Sequence, residues 1–182
     1  MEQTKTSILL NNGDFFDFND PFRHEFDIKT IAHALSHVCR YTGHSDKFYS
    51  VAEHSVLVSR IVPESAALAG LLHDASEAFC GDVSSPLKAL LPEYKKIEEA
   101  VQEALFNYFN LSWPMPRSVH VADKQLYKAE REQIATGGVD NLWHTRTKIA
   151  DVVITGMQPK DAKAFFLSRF NELTALRQKS AA

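Results

Sequence analysis

Cysteine is nearly absent. Cys39 and Cys80 are the only two in 182 residues, and they form no Cys-x-x-Cys pair. A disulfide framework and a cysteine-based zinc module are thereby excluded, and two thiols in a reducing cytoplasm are the expected state. Long apolar runs are missing too: no stretch approaches the ~18 residues that a membrane helix needs. The opening MEQTKTSILLNNGDFF has no long apolar core and does not read as a signal peptide. A cytoplasmic chain without a membrane partner is expected. There is no run of like charge, and the formal net charge is only −3, so no basic stripe for a nucleic-acid polymer is evident. Repeats and low-complexity segments are also lacking. What is left is a chain 45% hydrophobic and 24% charged, long enough for one domain, 1–182, whose core needs no staples.

Hydrophobic periodicity predicts helices over most of the length. First comes a small hairpin over 7–18, where Ile8, Leu9 and Leu10 precede Asn12-Gly13, and Phe15, Phe16 and Phe18 follow. Asn-Gly there favours a tight primed turn. Asp27 can cap a helix from about Ile28 to Arg40 with Ile31, Ala34, Leu35 and Val38 inward. A turn-rich loop from Arg40 to Asp46 leads to a helix over 50–62, with Val51, Val58 and Ile61 on one face. The run from Glu64 to Cys80 reads as one buried helix, stopped by Gly81. Ser85-Pro86 makes a good start for a short helix through Leu91. A long amphipathic helix follows over 94–109, with Ile97, Val101, Leu105 and Phe109 inward. The next is expected from Ser118 to about Thr136, ended by Gly137-Gly138. Thr147 to Ile154 fits either a short strand or a helix. The last helix, 161–179, directs Phe165, Phe166, Phe170 and Leu173 inward. The expected fold is an all-α helical bundle with at most a small N-terminal hairpin.

Three of these helices carry polar residues where aliphatic ones are expected. His73, Asp74 and Glu77 share one ~100° arc of the 64–80 helix, beside Leu71, Leu72 and Ala75. His54 lies on the apolar face with Val51 and Val58, and Asp123 lies between Val119 and Leu126. Each admits a plain structural explanation: a solvated face, a hydrogen-bonded core histidine, a buried cap or an ion-pair partner. Their coincidence favours a different one. A bundle brings such side chains together in its core, and a divalent cation satisfies imidazoles and carboxylates that are otherwise costly to bury. His24, His33, His37, His120 and His144 have nothing that singles them out and read as surface or packing residues.

The order His54, His73-Asp74, Asp123 resembles the H…HD…D signature of the HD-domain metal-dependent phosphohydrolases. The flanking words are specific as well: Val51-Ala52-Glu53-His54-Ser55, His73-Asp74-Ala75-Ser76-Glu77, and Gly81-Asp82-Val83 with Pro86-Leu87-Lys88. Together they are similar to the bacterial 5′-deoxynucleotidase branch, and most closely to its small phage- and prophage-type (YfdR-like) members. The match runs from about Arg40 to Glu130. It implies an HD-domain helical fold, one divalent metal ion (Mn, Co, Zn, Fe, Ni or Mg), a small-molecule nucleotide phosphate ester as substrate and a homo-oligomer.

Under that resemblance the metal ligands are His54, His73, Asp74 and Asp123. Glu77 is the expected general base or water-orienting group, and it joins Asp74 and Arg40 in the catalytic set. Arg40 matches the family's arginine upstream of the first histidine, and its guanidinium suits bidentate phosphate binding. Asp82, Val83, Ser84 and Ser85 resemble the substrate loop, where a carboxylate meets a sugar hydroxyl. Lys88 and Lys124 are candidates for further phosphates, Tyr41 for stacking on a base, and His44 for lining the pocket; Tyr41 and His44 also fit a role in shaping the loop alone. The reaction expected is hydrolysis of the 5′-phosphate ester of deoxynucleoside monophosphates. Release of triphosphate from deoxynucleoside triphosphates is the alternative, and a catalytically silent nucleotide-binding protein a further one. An HD-type cyclic-nucleotide phosphodiesterase is a further alternative, but no further core histidines for a second metal are evident.

Overall fold

The computed structural model describes residues 3–135 and 148–181. They form an all-α bundle beside one two-stranded sheet. The helices are α1 (Ile28–His37), α2 (Val51–Ile61), α3 (Ala67–Leu71), α4 (Glu77–Cys80), α5 (Ser85–Lys88), α6 (Pro92–Tyr108), α7 (Arg117–Gln133) and α8 (Pro159–Ala181). Among them no helix is long and apolar enough to cross a membrane.

In the hairpin, β1 (Ser7–Leu9) pairs antiparallel with β2 (Phe15–Asp17), with Ile8 opposite Phe16. The turn is not the primed type expected. That type needs two successive left-handed residues, and here Gly13 has φ 91° while Asn12 is not left-handed. Gly13 N–H donates to Leu10 O and Leu10 N–H to Asp14 O, which closes a three-residue loop with glycine at its last position. The Asn12 side chain is used on Asp14, whose N–H and carboxylate it bonds.

The bundle is built around α2. Every residue from Val51 to Ser59 is buried, with α1, α3, α7 and α8 packed around them. Ser50 caps this helix by accepting the Glu53 N–H. Glu53 is itself buried, and its carboxylate accepts from Thr155 N and Oγ1, Gly156 N and Met157 N. Those bonds fasten the segment leading into α8. They also answer the ambiguity over 147–154: residues 148–158 form neither strand nor helix, while Thr147 lies outside the described residues. Thr136, Gly137, Gly138 and His144 lie outside them as well.

Some boundaries differ from expectation for local reasons. Helix α1 begins at its Asp27 cap, which accepts from Lys29 N and Thr30 N, but ends three residues early. Val38 is extended there, and Cys39 forms a β-bridge with Ser50. Helix α5 starts with Ser84, not Ser85, in the capping position. On α6, Val101 and Leu105 are buried as expected, but Ile97 is 43% exposed, because α6 meets the bundle mainly through its later turns.

The largest difference lies in the stretch read as a single helix over 64–80. A 3₁₀ turn (Glu64–Ala66) and α3 open it, turns occupy 72–76, and α4 resumes at Glu77. The bonds Ala75 N to Leu72 O and Glu77 N to Asp74 O are of the tighter i to i−3 kind. The Gly70 carbonyl, which a continuous helix would give to the Asp74 N–H, accepts the His73 Nδ1–H at 2.9 Å. Gln102 from α6 does the rest. Its Nε2 donates to Leu72 O at 2.8 Å, and its Oε1 accepts the Ser76 N–H at 3.0 Å. Leu72 O and Ser76 N are the i and i+4 partners of an α-helix, so a buried side-chain amide has been inserted into the ladder, a recognised cause of a kink.

Gln102→Leu keeps the volume and removes both bonds, leaving two buried backbone groups unsatisfied. At ~1–3 kcal/mol per group, we expect a loss of about 3 kcal/mol and a melting temperature lower by roughly 6–12 °C for a chain of this length. A thermal melt that matches the unsubstituted protein would show that the break does not need the wedge.

Candidate metal centre

The broken helix and α2 deliver two imidazoles to one point. Gly70 allows the approach: a Cβ there would lie 3.1 Å from Val62 Cγ2 and 3.2 Å from Ser59 Cα. His54 Nε2 and His73 Nε2 are 3.2 Å apart. Asp123 Oδ1 from α7 is 3.3 Å from His54 Nε2. Asp74 Oδ2 lies 3.1 Å from His73 Nε2 and 3.5 Å from His54 Nε2. The ligand atoms of His54, His73 and Asp123 all lie within 4.8 Å of one another.

Hydrogen bonds assign the tautomers. His73 Nδ1–H donates to Gly70 O, and His54 Nδ1–H donates to Glu130 Oε1 at 2.6 Å. With both Nδ1 atoms so used, both Nε2 atoms are left to face each other and two carboxylates. Such an arrangement draws in positive charge, a second proton on His54 or a metal ion in its place. Two nitrogens and two carboxylate oxygens form a donor set that suits a divalent transition metal, and an imidazole whose other nitrogen is bonded to a carboxylate or carbonyl is the usual form of a metal-bound histidine.

The electrostatics agree with the geometry. Burial and the Arg40 charge act to lower the His54 pKa, but Glu130 and Asp123 outweigh them and push it up to about 9. Asp74 is held well below the usual carboxylate range: burial opposes this, and His73, His54 and Arg40 overcome it. Glu77 goes the other way, raised well above that range by burial and then by Asp74 and Asp82. Only 5% exposed, it follows Asp74 by three residues across the tightened turn, which eclipses them. Its Oε2 is buried without a hydrogen-bond partner among the described residues.

Glu130 was not anticipated from the sequence. It is fully buried on α7 and takes four donors. His54 Nδ1–H and the Tyr49 hydroxyl (2.9 Å) share Oε1, while the Tyr41 hydroxyl (2.6 Å) and Arg40 Nη2 (3.2 Å) share Oε2. A signal was available: Glu130 follows Asp123 by seven residues, two helical turns, on the same stripe as Val119, Ala122, Leu126 and Ala129.

The other candidates are placed as follows. Arg40 has Nη1 3.5 Å from Asp74 Oδ2 and Nη2 on Glu130, so both terminal nitrogens face carboxylates; its Nε is buried without a hydrogen-bond partner among the described residues. Tyr41 spends its hydroxyl on Glu130, and its ring lies against Tyr127 with centroids 6.2 Å apart. His44 is exposed, closing the turn after Arg40–Gly43. Asp82 is half-buried, and burial raises its pKa, while Arg40 and Lys88 act against the rise. Val83 is half-buried beside it, and Ser84 and Ser85 are exposed. Lys88 Nζ donates to Glu98 at 2.7 Å and stands 3.8 Å from Glu77 Oε1. Lys124 is exposed on α7.

A family profile described as 5′-deoxynucleotidase YfbR-like matches residues 19–114, a span that holds Arg40, His54, His73, Asp74, Glu77 and Asp82. The chain belongs to this family, within the HD superfamily. It is 36% identical over 178 residues to the Escherichia coli K12 protein named YfdR and described as uncharacterized, covering 94% of this chain and 97% of that one. An uncharacterized Rhodobacter capsulatus protein is 32% identical over 181 residues, 89% of this chain and 92% of its own. A 5′-deoxynucleotidase of Vibrio atlanticus is 31% identical over 88 residues, 46% of this chain and 38% of its own. These findings support an HD-type deoxynucleotide phosphohydrolase. Asp123 and Glu130 lie beyond the family match and join the site only through the packing of α7 on α2.

If the four ligands act together, His73→Ala and Asp74→Ala should each purify without bound metal and without activity. Elemental analysis of the two variants checks this; a full complement of metal in either one excludes that residue as a ligand.

Proposed function

We propose that this protein hydrolyses the 5′-phosphate ester of deoxynucleoside monophosphates, giving nucleoside and phosphate. The observation that carries the reading is a pair of orphaned atoms beside the metal centre. Arg40 Nε is a buried donor and Glu77 Oε2 a buried acceptor, and neither has a protein partner among the described residues. A phosphate oxygen satisfies the first and a water molecule the second, and hydrolysis of a phosphate ester requires both.

A divalent ion would be held by His54, His73, Asp74 and Asp123 and would supply Lewis acidity and a water of lowered pKa. The chain's own groups do the remainder. Glu77 accepts the water proton; burial and its acidic neighbours raise its affinity for that proton. Arg40 donates to the phosphate while its terminal nitrogens stay on Asp74 and Glu130, so its charge is held where negative charge accumulates. Asp82 accepts a hydrogen bond from the sugar 3′-hydroxyl, and deoxyribose is the expected sugar. The monophosphate is favoured over the triphosphate because two of the three candidate cations are already engaged: Arg40 with two carboxylates, and Lys88 with Glu98. A triphosphate needs several cations free to meet it.

Product analysis over matched deoxyribo- and ribonucleoside mono- and triphosphates, with Mn, Co, Mg and Zn, tests the assignment. Orthophosphate from deoxyribonucleoside monophosphates, with lower kcat/KM for the ribo forms, is expected. Triphosphate release overturns the monophosphate reading, and equal kcat/KM for the two sugars overturns the role given to Asp82.

For Glu77, the amide Glu77→Gln keeps size and polarity but cannot take the proton. It should retain metal and lose roughly 10²–10⁴-fold in kcat, the usual range for general acid–base catalysis, with KM little changed. A metal-saturated variant with near-normal kcat would mean that Glu77 does not handle the proton.

A further inference from the structure

Glu130 touches neither the ligand side of His54 nor any position where a nucleotide would react, yet it lies between the metal centre and the loop bearing Arg40 and Tyr41. Its two oxygens divide the work. Oε1 accepts from His54 Nδ1 and Tyr49, and Oε2 from Tyr41 and Arg40. A carboxylate has about four acceptor positions, and here all four are taken by donors.

The loop on the Oε2 side needs holding. Tyr41 has φ 58° and Thr42 φ 53°, two successive left-handed residues without a glycine, the second β-branched. That conformation is unfavourable for both and persists only where the surroundings impose it. The Tyr41 hydroxyl on Glu130, the Arg40 guanidinium on the same oxygen, and the Arg40 N–H to Tyr49 O bond are the contacts that impose it. On the Oε1 side, Glu130 fixes the proton of His54 on Nδ1 and so turns Nε2 toward His73 and Asp123.

We propose that Glu130 is a positioning residue that sets His54 for the metal with one oxygen and the Arg40–Thr42 loop for the nucleotide phosphate with the other, so that metal affinity and loop order are coupled. The nucleotide half rests on the function proposed above; the metal half does not. Tyr41 then acts through Glu130 and not by stacking on a base, since its hydroxyl is engaged and its ring is against Tyr127.

The test is the Mn²⁺ affinity of the metal-free full-length protein without nucleotide, measured for the unsubstituted chain, Glu130→Gln, Tyr41→Phe and the double variant. Glutamine keeps the shape of Glu130 but offers an NH₂ among four donors. Loss of the group orienting a metal-bound histidine costs ~10–100-fold in affinity, and we expect that for Glu130→Gln, with a changed visible spectrum of the Co²⁺ form. Tyr41→Phe removes one hydroxyl from the far oxygen and touches no proposed ligand. It should weaken Mn²⁺ binding by at least about twofold, and by less when added to Glu130→Gln, as residues sharing one network do. Unchanged Mn²⁺ affinity in Tyr41→Phe overturns the coupling, and that half-exposed tyrosine keeps the test open should Glu130→Gln fail to fold. Unchanged affinity and Co²⁺ spectrum in a folded Glu130→Gln overturn the positioning role. Neither result depends on which nucleotide is hydrolysed, so failure of the monophosphate reading remains distinguishable.

Discussion

Burying an ionised carboxylate in an apolar bundle is costly unless its charge is shared among donors. Glu130 meets that condition with an imidazole, two phenols and a guanidinium, and the geometry of the site follows from it. Burial acts to raise its pKa, but Arg40 and His54 outweigh burial and hold it well below the usual carboxylate range. The anion then dictates which nitrogen of His54 carries the proton, where the Arg40 guanidinium rests, and why Tyr41 tolerates a left-handed backbone.

The same logic recurs wherever the bundle interrupts itself. Glu53, one residue before His54, is buried with four donors from 155–157 and anchors an irregular segment that no periodicity describes. Gln102 is buried between Leu72 O and Ser76 N and holds open the helix that carries His73 and Asp74. In each case one polar side chain from another element, or another part of the chain, satisfies backbone groups that local structure leaves free. A core otherwise made of aliphatic and aromatic contacts thereby accommodates the non-helical backbone that brings the functional groups together.

Two of the three left-handed non-glycine residues and two of the three buried unpartnered side-chain atoms among the described residues collect in one place. Tyr41 and Thr42 are left-handed, Arg40 Nε and Glu77 Oε2 lack partners among the described residues, and two histidine Nε2 atoms face each other at 3.2 Å. Such features are unfavourable in a purely structural core and are typical of sites arranged for a ligand. Their concentration at the junction of α2, the broken helix, α7 and the Arg40–Gly43 turn singles out that junction as the candidate functional centre.

Periodicity and residue type by themselves determined the helical class, the helices α2, α6, α7 and α8 to within a few residues, and the identity of His54, His73, Asp74 and Asp123 as unusual polar residues on apolar faces. The reason is physical: an amphipathic stripe repeats every 3.6 residues, and a histidine or carboxylate within it is conspicuous. Tertiary structure alone decided the rest. The 64–80 stretch has helical periodicity throughout, and its break depends on Gln102, 26 residues after Ser76, together with the His73 ring on Gly70 O. Asn12-Gly13 carries a primed-turn signal, but bonds to Asp14 select another loop. Glu130 lies on a helix stripe where an isolated carboxylate reads as a buried ion-pair partner, and its four partners come from residues 76 to 90 positions earlier. Arg40 and Lys88 read in sequence as cations free for phosphate. Whether a charge is free depends on what packs against it, and that is a property of the folded arrangement and not of the order of residues.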